Sequence, residues 1–539
     1  MSDAQKPAQA PASDIEEEDV ELEYRPFVKY VGLGLAAMLV LGSGYATYAL
    51  GYRQGYESGI SSGQVESAIN AAAVQGIAHL LQSASADDTQ LLRLAEDTEK
   101  SFAWINDSVV RKEAEWMLGC VLLQRKHTEK AIPLLQKLFG DVPTEPIWCR
   151  RSGTVAESLL NAGEPGEAKQ WYRKTADMAK MCSLPREYAQ ALEGVAAVCL
   201  SAGAAGEKVN GELNALLREA EVLGDESLTV RAMILAHEGE RLRLLGRDEE
   251  AGKCFASLLK LLPGDTGNVP PAAMVCFGLA SMETGHPEQA EQILLQGEAR
   301  LGLSLQDTLC RLLALRHLAT LAQNKGDSAA ALALLNRAEG AATGRVAADE
   351  PFWNCLFVQK GWLAFLQDDR QTALECFSRA LNNAPLPAVA VQAQEGVGRC
   401  YLDNQRGEDA SRHFSDCLQL RLKHFASDTA SLGRLALLHA HARDAVNMPE
   451  QAAELFAKAA EWLQGDAPEV AENRRMALLG HAHALFRAEK WEAALAAWEK
   501  VLPLLADKPE QREEATRRMQ DCRSRLHQTD PDFTADFSS

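Results

Sequence analysis

Gly361, Ala373, Phe377, Ala380 and Pro385 form a spaced pattern that returns about every forty residues through most of this chain. A fixed period of that size narrows the possible folds sharply. Each period is one small unit that cannot bury its apolar face alone and must stack on its neighbours. In the clearest copy, Pro351 to Pro385, Gly361 lies in a first helix among leucine, tryptophan and phenylalanine, and Gln367 to Gln371 form a polar turn. Ala373, Phe377 and Ala380 follow at i, i+4 and i+7, one face of a second helix. Pro385 stops that helix, because proline donates no backbone hydrogen bond and clashes with the preceding turn. Small residues on both helices let the pair cross closely, and the aromatic ring fills the gap between them.

Other copies are worn but legible. Gly239, Gly246, Ala251, Phe255 and Pro263 carry one; Gly278, Gly285, Ala290 and Leu294 the next; Ala319, Gly326, Ala331, Leu335 and Ala338 the one after. Beyond the clearest copy come Gly398, Tyr401, Ala410, Phe414 and Cys417, then Ala440, Ala452, Phe456 and Ala459, then Ala482, Ala494 and Trp498. Earlier in the chain, Gly119, Ala131, Leu135 and Pro143 form a copy, and Ala156, Gly163, Ala168 and Tyr172 another. The second-helix alanines from Ala251 to Ala494 lie 37 to 42 residues apart. The gap from Ala168 to Ala251 is double, which places a degenerate copy over Glu187 to Leu223.

This pattern resembles the tetratricopeptide repeat, a helix–turn–helix unit marked by small, small, aromatic, small and proline positions. The resemblance runs from about Arg111 to Pro503 and implies an all-α helix–turn–helix solenoid, a TPR-like superhelix. The period exceeds the family's usual ~34 residues, so helices or turns must be extended. In the family the first helix of each repeat lines a concave groove. Register then assigns Val275, Leu279 and Met282 to that groove, with Val358, Trp362 and Phe365 two repeats later. Arg316 and Thr320 lie between them, and Glu395 and Arg399 follow. Apolar anchors beside an arginine suit an amphipathic helix or an extended peptide with an acidic end. The competing reading packs Trp362 and Phe365 against the adjacent helix. Some co-chaperone relatives grip a C-terminal carboxylate with lysines and asparagines in this groove, and no matching set is present here.

Tyr30 to Tyr52 carries no charge over 23 residues. As a helix it would reach ~35 Å, enough to cross a hydrocarbon layer of ~30 Å. Pro26 suits the helix start, and Tyr45, Tyr48 and Tyr52 gather at the far interface. The expectation is one N-terminal transmembrane helix over 27–52, holding the protein in the lipid bilayer. Ahead of it, 1–26 is an acidic, Pro- and Ala-rich tail that cannot bury a core. A cleaved signal peptide would want a short basic start, whereas Asp14, Glu16, Glu17, Glu18, Asp19, Glu21 and Glu23 precede this segment. Arg25 and Lys29 against Arg53 place the N-terminus in the cytoplasm and the repeats outside it, in the periplasm of a bacterial envelope. The many cysteines favour a reducing compartment instead. After the span, Gly51, Gly55, Gly59 and Gly63 recur every four residues. On a helix they bare one stripe of backbone for association, including homo-oligomerisation, and otherwise they make a flexible tether. The division that follows is 53–110 for this juxtamembrane segment and a helical connector, 111–507 for the repeats, 508–528 for a capping helix and 529–539 for a flexible tail.

Chemistry is scarce. The formal net charge of −20 argues against a nucleic-acid partner, which wants clustered Lys and Arg. Twelve cysteines include no Cys-x-x-Cys pair. They read as small buried hydrophobes or as bridges between helices, such as Cys182 with Cys199 or Cys400 with Cys417. Two His-Ala-His triplets, His439 with His441 and His481 with His483, tempt a metal reading. However, residues two apart on a helix point ~200° apart, so neither triplet can chelate through both rings. No protease, esterase, phosphate-loop or dinucleotide motif occurs, and the sequence suggests no catalytic residue, metal or cofactor. It reads as a membrane-anchored scaffold that recruits other proteins. The alternative is an anchored receptor or chaperone that captures apolar or targeting segments of its clients.

Overall fold

The computed structural model describes residues 88–96, 98–102, 108–201, 207–263, 268–346, 351–382, 385–465 and 467–529. The expected span over 27–52 and the glycines Gly51, Gly55, Gly59 and Gly63 lie outside these residues. Among the described residues no helix is long and apolar enough to cross a membrane.

Two compact units divide between Pro143 and Thr144. In the first, α1 (Asp88–Glu96) packs on the pair α2 (Ser108–Gln124) and α3 (Thr128–Asp141). Among the described residues the second unit holds nine helix pairs and a closing helix. They are α4 (Pro146–Ala162) with α5 (Pro165–Met181), α6 (Pro185–Ser201) with α7 (Glu207–Glu221), and α8 (Leu228–Leu244) with α9 (Asp248–Leu259). Next come α10 (Pro271–Glu283) with α11 (Pro287–Arg300), α12 (Leu305–Asn324) with α13 (Ser328–Ala342), and α14 (Pro351–Leu366) with α15 (Arg370–Ala380). The last are α16 (Pro387–Asp403) with α17 (Gly407–His424), α18 (Thr429–Ala445) with α19 (Pro449–Trp462), and α20 (Pro468–Arg487) with α21 (Trp491–Val501). Helix α22 (Pro509–Thr529) packs on α21 and covers the end of the stack with Ala515, Met519 and Cys522. The stretch where the motif is hardest to read holds a looser pair, α6 and α7, whose helices touch less than those of the other pairs.

The recurring residues are the ones that lock each pair. Phe377 is fully buried, and a Cβ added at Gly361 would stand only 2.7 Å from its ring. From the other side the ring meets Gly396 of the next first helix, so one phenylalanine is clamped between two glycines of successive pairs. Gly239 with Phe255 and Gly398 with Phe414 repeat the contact. Part of the extra length lies in helices, since α12 and α20 each run 20 residues, and part in the connections 260–270 and 343–350 between pairs. Turns between paired helices take one left-handed residue, supplied by Gly163, Gly246, Gly285 and Gly326 early in the unit and by Asp368, Gln405, Asn447 and Glu489 later. Asp327, Asp369 and Asp428 cap the helices that follow them, each side chain accepting a backbone N–H three residues on. Pro146, Pro271, Pro387 and Pro468 open first helices, where the missing N–H costs nothing.

Candidate interaction surface

Along the inner side of the second unit, the first helices behave in two ways. Those from α6 to α12 are buried almost all round; in α10 every residue from Ala272 to Ser281 is covered. One side of each rests on its partner, and the other meets helices further along the chain. α6 packs on α12, where the Gln306 amide donates to Glu193 Oε2 at 3.3 Å across 113 residues. α8 packs on α16, and Leu244 joins the apolar cluster of Val358, Phe377 and Val397. The turn at Gly246 lies against Phe425, leaving no room for a side chain. Val275 and Leu279 are consequently fully covered and Val358 nearly so, while Met282 is half-buried.

At the centre of this closed stretch lies an ion cluster that register alone did not reveal. Glu240 on α8 pairs with Arg316 on α12, and only 7% of the one side chain and 8% of the other are exposed. Arg243 adds three contacts to the same carboxylate, at 3.0, 3.1 and 3.3 Å, and reaches Glu283 at 3.7 Å. His317 Nε2 stands 3.9 Å from Glu240. Burial alone would raise the Glu240 pKa, but Arg316, Arg243 and His317 outweigh it and hold the carboxyl well below its usual range. Burial pushes His237 down to about 4 and His317 to about 3, so both rings are neutral at pH 7. Gln359 on α14 donates to Thr320 Oγ1 at 2.8 Å, which ties the clearest repeat to this cluster. A buried pair 76 residues apart leaves no local trace in sequence. The signal that could have exposed it is the composition of α10 (PAAMVCFGLASME), apolar on every face and so unsuited to a groove open to water.

From α14 to α20 the inner side is more open. Trp362, Phe365 and Arg399 are half-buried, and they meet: Trp362 stands edge-on to Phe365 at 5.7 Å and to Phe377 at 5.0 Å. The Arg399 guanidinium lies 5.5 Å from the Trp362 ring and also pairs with Glu395 at 2.7 Å. One edge of Trp362 thus packs on α15, while part of its surface stays exposed. Arg370 covers Phe365 at 3.9 Å, and Arg518 covers Phe486 at 4.9 Å. His441 and His483 occupy the Trp362 register in the next two first helices after α16, each edge-on to its own second-helix ring: Phe456 at 5.1 Å and Trp498 at 4.6 Å. The result is a row of planar groups, Trp362, Arg399, His441 and His483, along four successive inner helices.

The other histidine of each triplet points back to the preceding pair. His439 exchanges a hydrogen bond with Ser411 at 2.9 Å, and His481 Nδ1 donates to the Ala453 carbonyl at 2.9 Å. Among the described residues no three His, Cys, Asp or Glu side chains gather as metal ligands. All twelve cysteines are free thiols, and most are buried. Cys417 shows their role: its thiol donates to the Val391 carbonyl at 3.2 Å, and burial pushes its pKa up to about 12.

No protein-family model matches the chain, and no curated protein matches it. Solved structures similar to it include PilF of Pseudomonas aeruginosa, at 17% identity over 45% of this chain and 95% of that one, with a TM-score of 0.34. A human IFIT1 dimer with PPP-AAAA is similar at 16% identity over 78% and 95%, with a TM-score of 0.36. The Cut9–Hcn1 hetero-tetramer of the APC/C is similar at 12% identity over 91% and 98%, with a TM-score of 0.42.

Proposed function

We propose that this chain is a scaffold that holds other proteins along the inner side of α14 to α20, tethered to a bacterial envelope membrane by residues 27–52. One observation carries the reading. The inner helices α6 to α12 are occupied by contacts with their own chain, whereas Trp362, Phe365, Arg399, His441 and His483 keep part of their surface free. Aromatic and arginine side chains at half-buried sites are the groups that anchor protein interfaces. A helix laying an apolar face on the row, with carboxylates toward Arg399, matches its chemistry. The repeats then stand outside the cytoplasm, and the juxtamembrane glycines from Gly51 to Gly63 bring copies together beside the bilayer.

Crosslinking in native membranes through a photoreactive group at position 441, followed by identification of the captured protein, tests the reading. Trp362→Ala should weaken that capture at least about ten-fold, the loss expected when an interface anchor is truncated. Arg399→Ala should weaken it less and cost no more than about 1 kcal/mol of stability, the loss of its pair with Glu395. Full capture by both variants would remove the site from consideration. Micromolar binding of many unrelated apolar peptides, in place of one stable complex, would identify a capture receptor instead. Labelling of a cysteine added near Ser539 only after cells are permeabilised would refute the extracytoplasmic orientation.

A further inference from the structure

A cavity of about 120 Å³ opens where α6, α7, α8, α12 and α14 converge, in the closed stretch of the inner wall. It is what remains of a groove once those helices have met. Leu213, Leu309, Leu312 and Leu313 form its apolar wall and are all covered. Its polar members are of three kinds. Arg316 and Glu240 satisfy each other; His237 turns in a covered Nε2 that meets no hydrogen-bond partner among the described residues; Asn210 and Arg241 are half-buried, with Arg241 also paired to Glu238 at 2.6 Å. For scale, an apolar cavity of ~150 Å³ takes up benzene, so the space here fits one ring and no length of peptide backbone. A group buried against the leucines gains the full benefit of leaving water. A polar substituent avoids being buried unpaired among leucines, which is costly, where it faces the half-buried Asn210 and Arg241.

We propose that this cavity binds a single ring-sized apolar group carrying one polar substituent, with the ring against Leu309, Leu312 and Leu313 and the substituent toward Asn210 and Arg241. The ring can arrive on a free small molecule or as a phenylalanine-like side chain of a bound polypeptide. Because the walls come from three different helix pairs and the opening helix of a fourth, occupancy ties distant repeats together. The site is distinct from the row at Trp362 and can be tested without any knowledge of the protein partner.

The test uses the full chain in lipid nanodiscs, with 4-fluorobenzyl alcohol as the free ring and N-acetyl-4-fluorophenylalaninamide as the ring on a backbone, both followed by fluorine NMR. Subtracting a Leu213→Trp variant, which fills the space, removes partitioning into lipid. Saturable binding of either probe, weakened about ten-fold or more in Leu213→Trp, is the expected result. Tighter binding of the alcohol assigns the ring to a small molecule, and tighter binding of the amide assigns it to a polypeptide. Leu312→Ala enlarges the space and should admit 2-naphthylmethanol, which wild type excludes, so the proposal stays testable if the tryptophan variant misfolds. No saturable binding of either ring in wild type overturns it, as does equal binding by wild type, the filled variant and the enlarged one.

Discussion

The stretch from α6 to α12 and the stretch from α14 to α20 are built from the same unit yet use their inner faces oppositely. In the first, Glu193 reaches Gln306 and Glu240 reaches Arg316, so inner helices satisfy one another across the unit. In the second, Glu395 pairs with Arg399 on its own helix and with Arg421 on the paired one, so its charges are met locally. The lesson is that a repeat dictates how a pair packs, while a few long-range polar contacts decide whether its inner face becomes core or surface. Breaking those contacts should therefore cost far more in the closed stretch than in the open one.

The largest effect is expected from Glu240→Leu. It strands Arg316 as a buried cation without its carboxylate and leaves Arg243 only Glu283, a loss that typically costs about 3–5 kcal/mol. The matching change in the open stretch, Glu395→Ala, breaks partly exposed pairs and should cost only about 0.5–1 kcal/mol. Urea unfolding of both variants measures the contrast, and equal losses would break it. Glu240→Leu combined with Arg316→Leu should recover part of the loss, because the stranded charge is removed with its partner.

A second contrast is set by pH. Burial raises the Glu193 pKa from 4.5 to about 7; a hydrogen bond from Thr229 opposes the shift and Asp307 adds to it. The folded state therefore keeps a proton that the unfolded chain releases between pH 4.5 and 7, and this contribution to stability falls as pH rises through that window. It amounts to at most about 3 kcal/mol. His237 and His317 act in the opposite sense: their lowered pKa values make stability fall as pH drops below 6.5. Glu193→Gln isolates the first effect. Its stability relative to wild type should climb from pH 4.5 to 7 and level off above, whereas a flat difference would show that the carboxyl ionises normally in the closed stretch.

The pair-locking residues were legible because their signal is local. Gly361, Ala373 and Phe377 lie within one helical hairpin, and their spacing alone dictates that they meet. The inner surface was only half legible. Register correctly finds first-helix positions but cannot say what lies opposite them, so Val275, Leu279 and Val358 carry groove register yet are covered by contacts from far along the chain. Glu240 left no mark in the sequence pattern because its partner is 76 residues away. If packing within a pair is independent of what its inner face does, Gly239→Ala and Gly361→Ala should cost the same. Both place a Cβ 2.7 Å from the paired phenylalanine ring, one in each stretch, for a loss of about 1–3 kcal/mol apiece. A much larger loss at Gly239, read by thermal unfolding, would mean that the cross-unit contacts also hold the pair geometry.

The smallest expected effects come from the turns, where the two stretches again differ. Gly326 closes its turn at φ 82°, and a Cβ added there would meet nothing within 4 Å, so Gly326→Ala adds backbone strain without a clash. That strain should cost about 1 kcal/mol. Gln405 holds the equivalent turn at φ 59° with a side chain already in place. Gln405→Gly should relieve the same strain but enlarge the freedom of the unfolded chain, so the two terms nearly offset and the gain stays under about 1 kcal/mol. Opposite signs for the two variants would show that left-handed turns are a shared demand of the pair, met by glycine in the closed stretch and by tolerated strain in the open one. A loss at Gln405→Gly would mean that this side chain contributes a contact that outweighs its backbone cost.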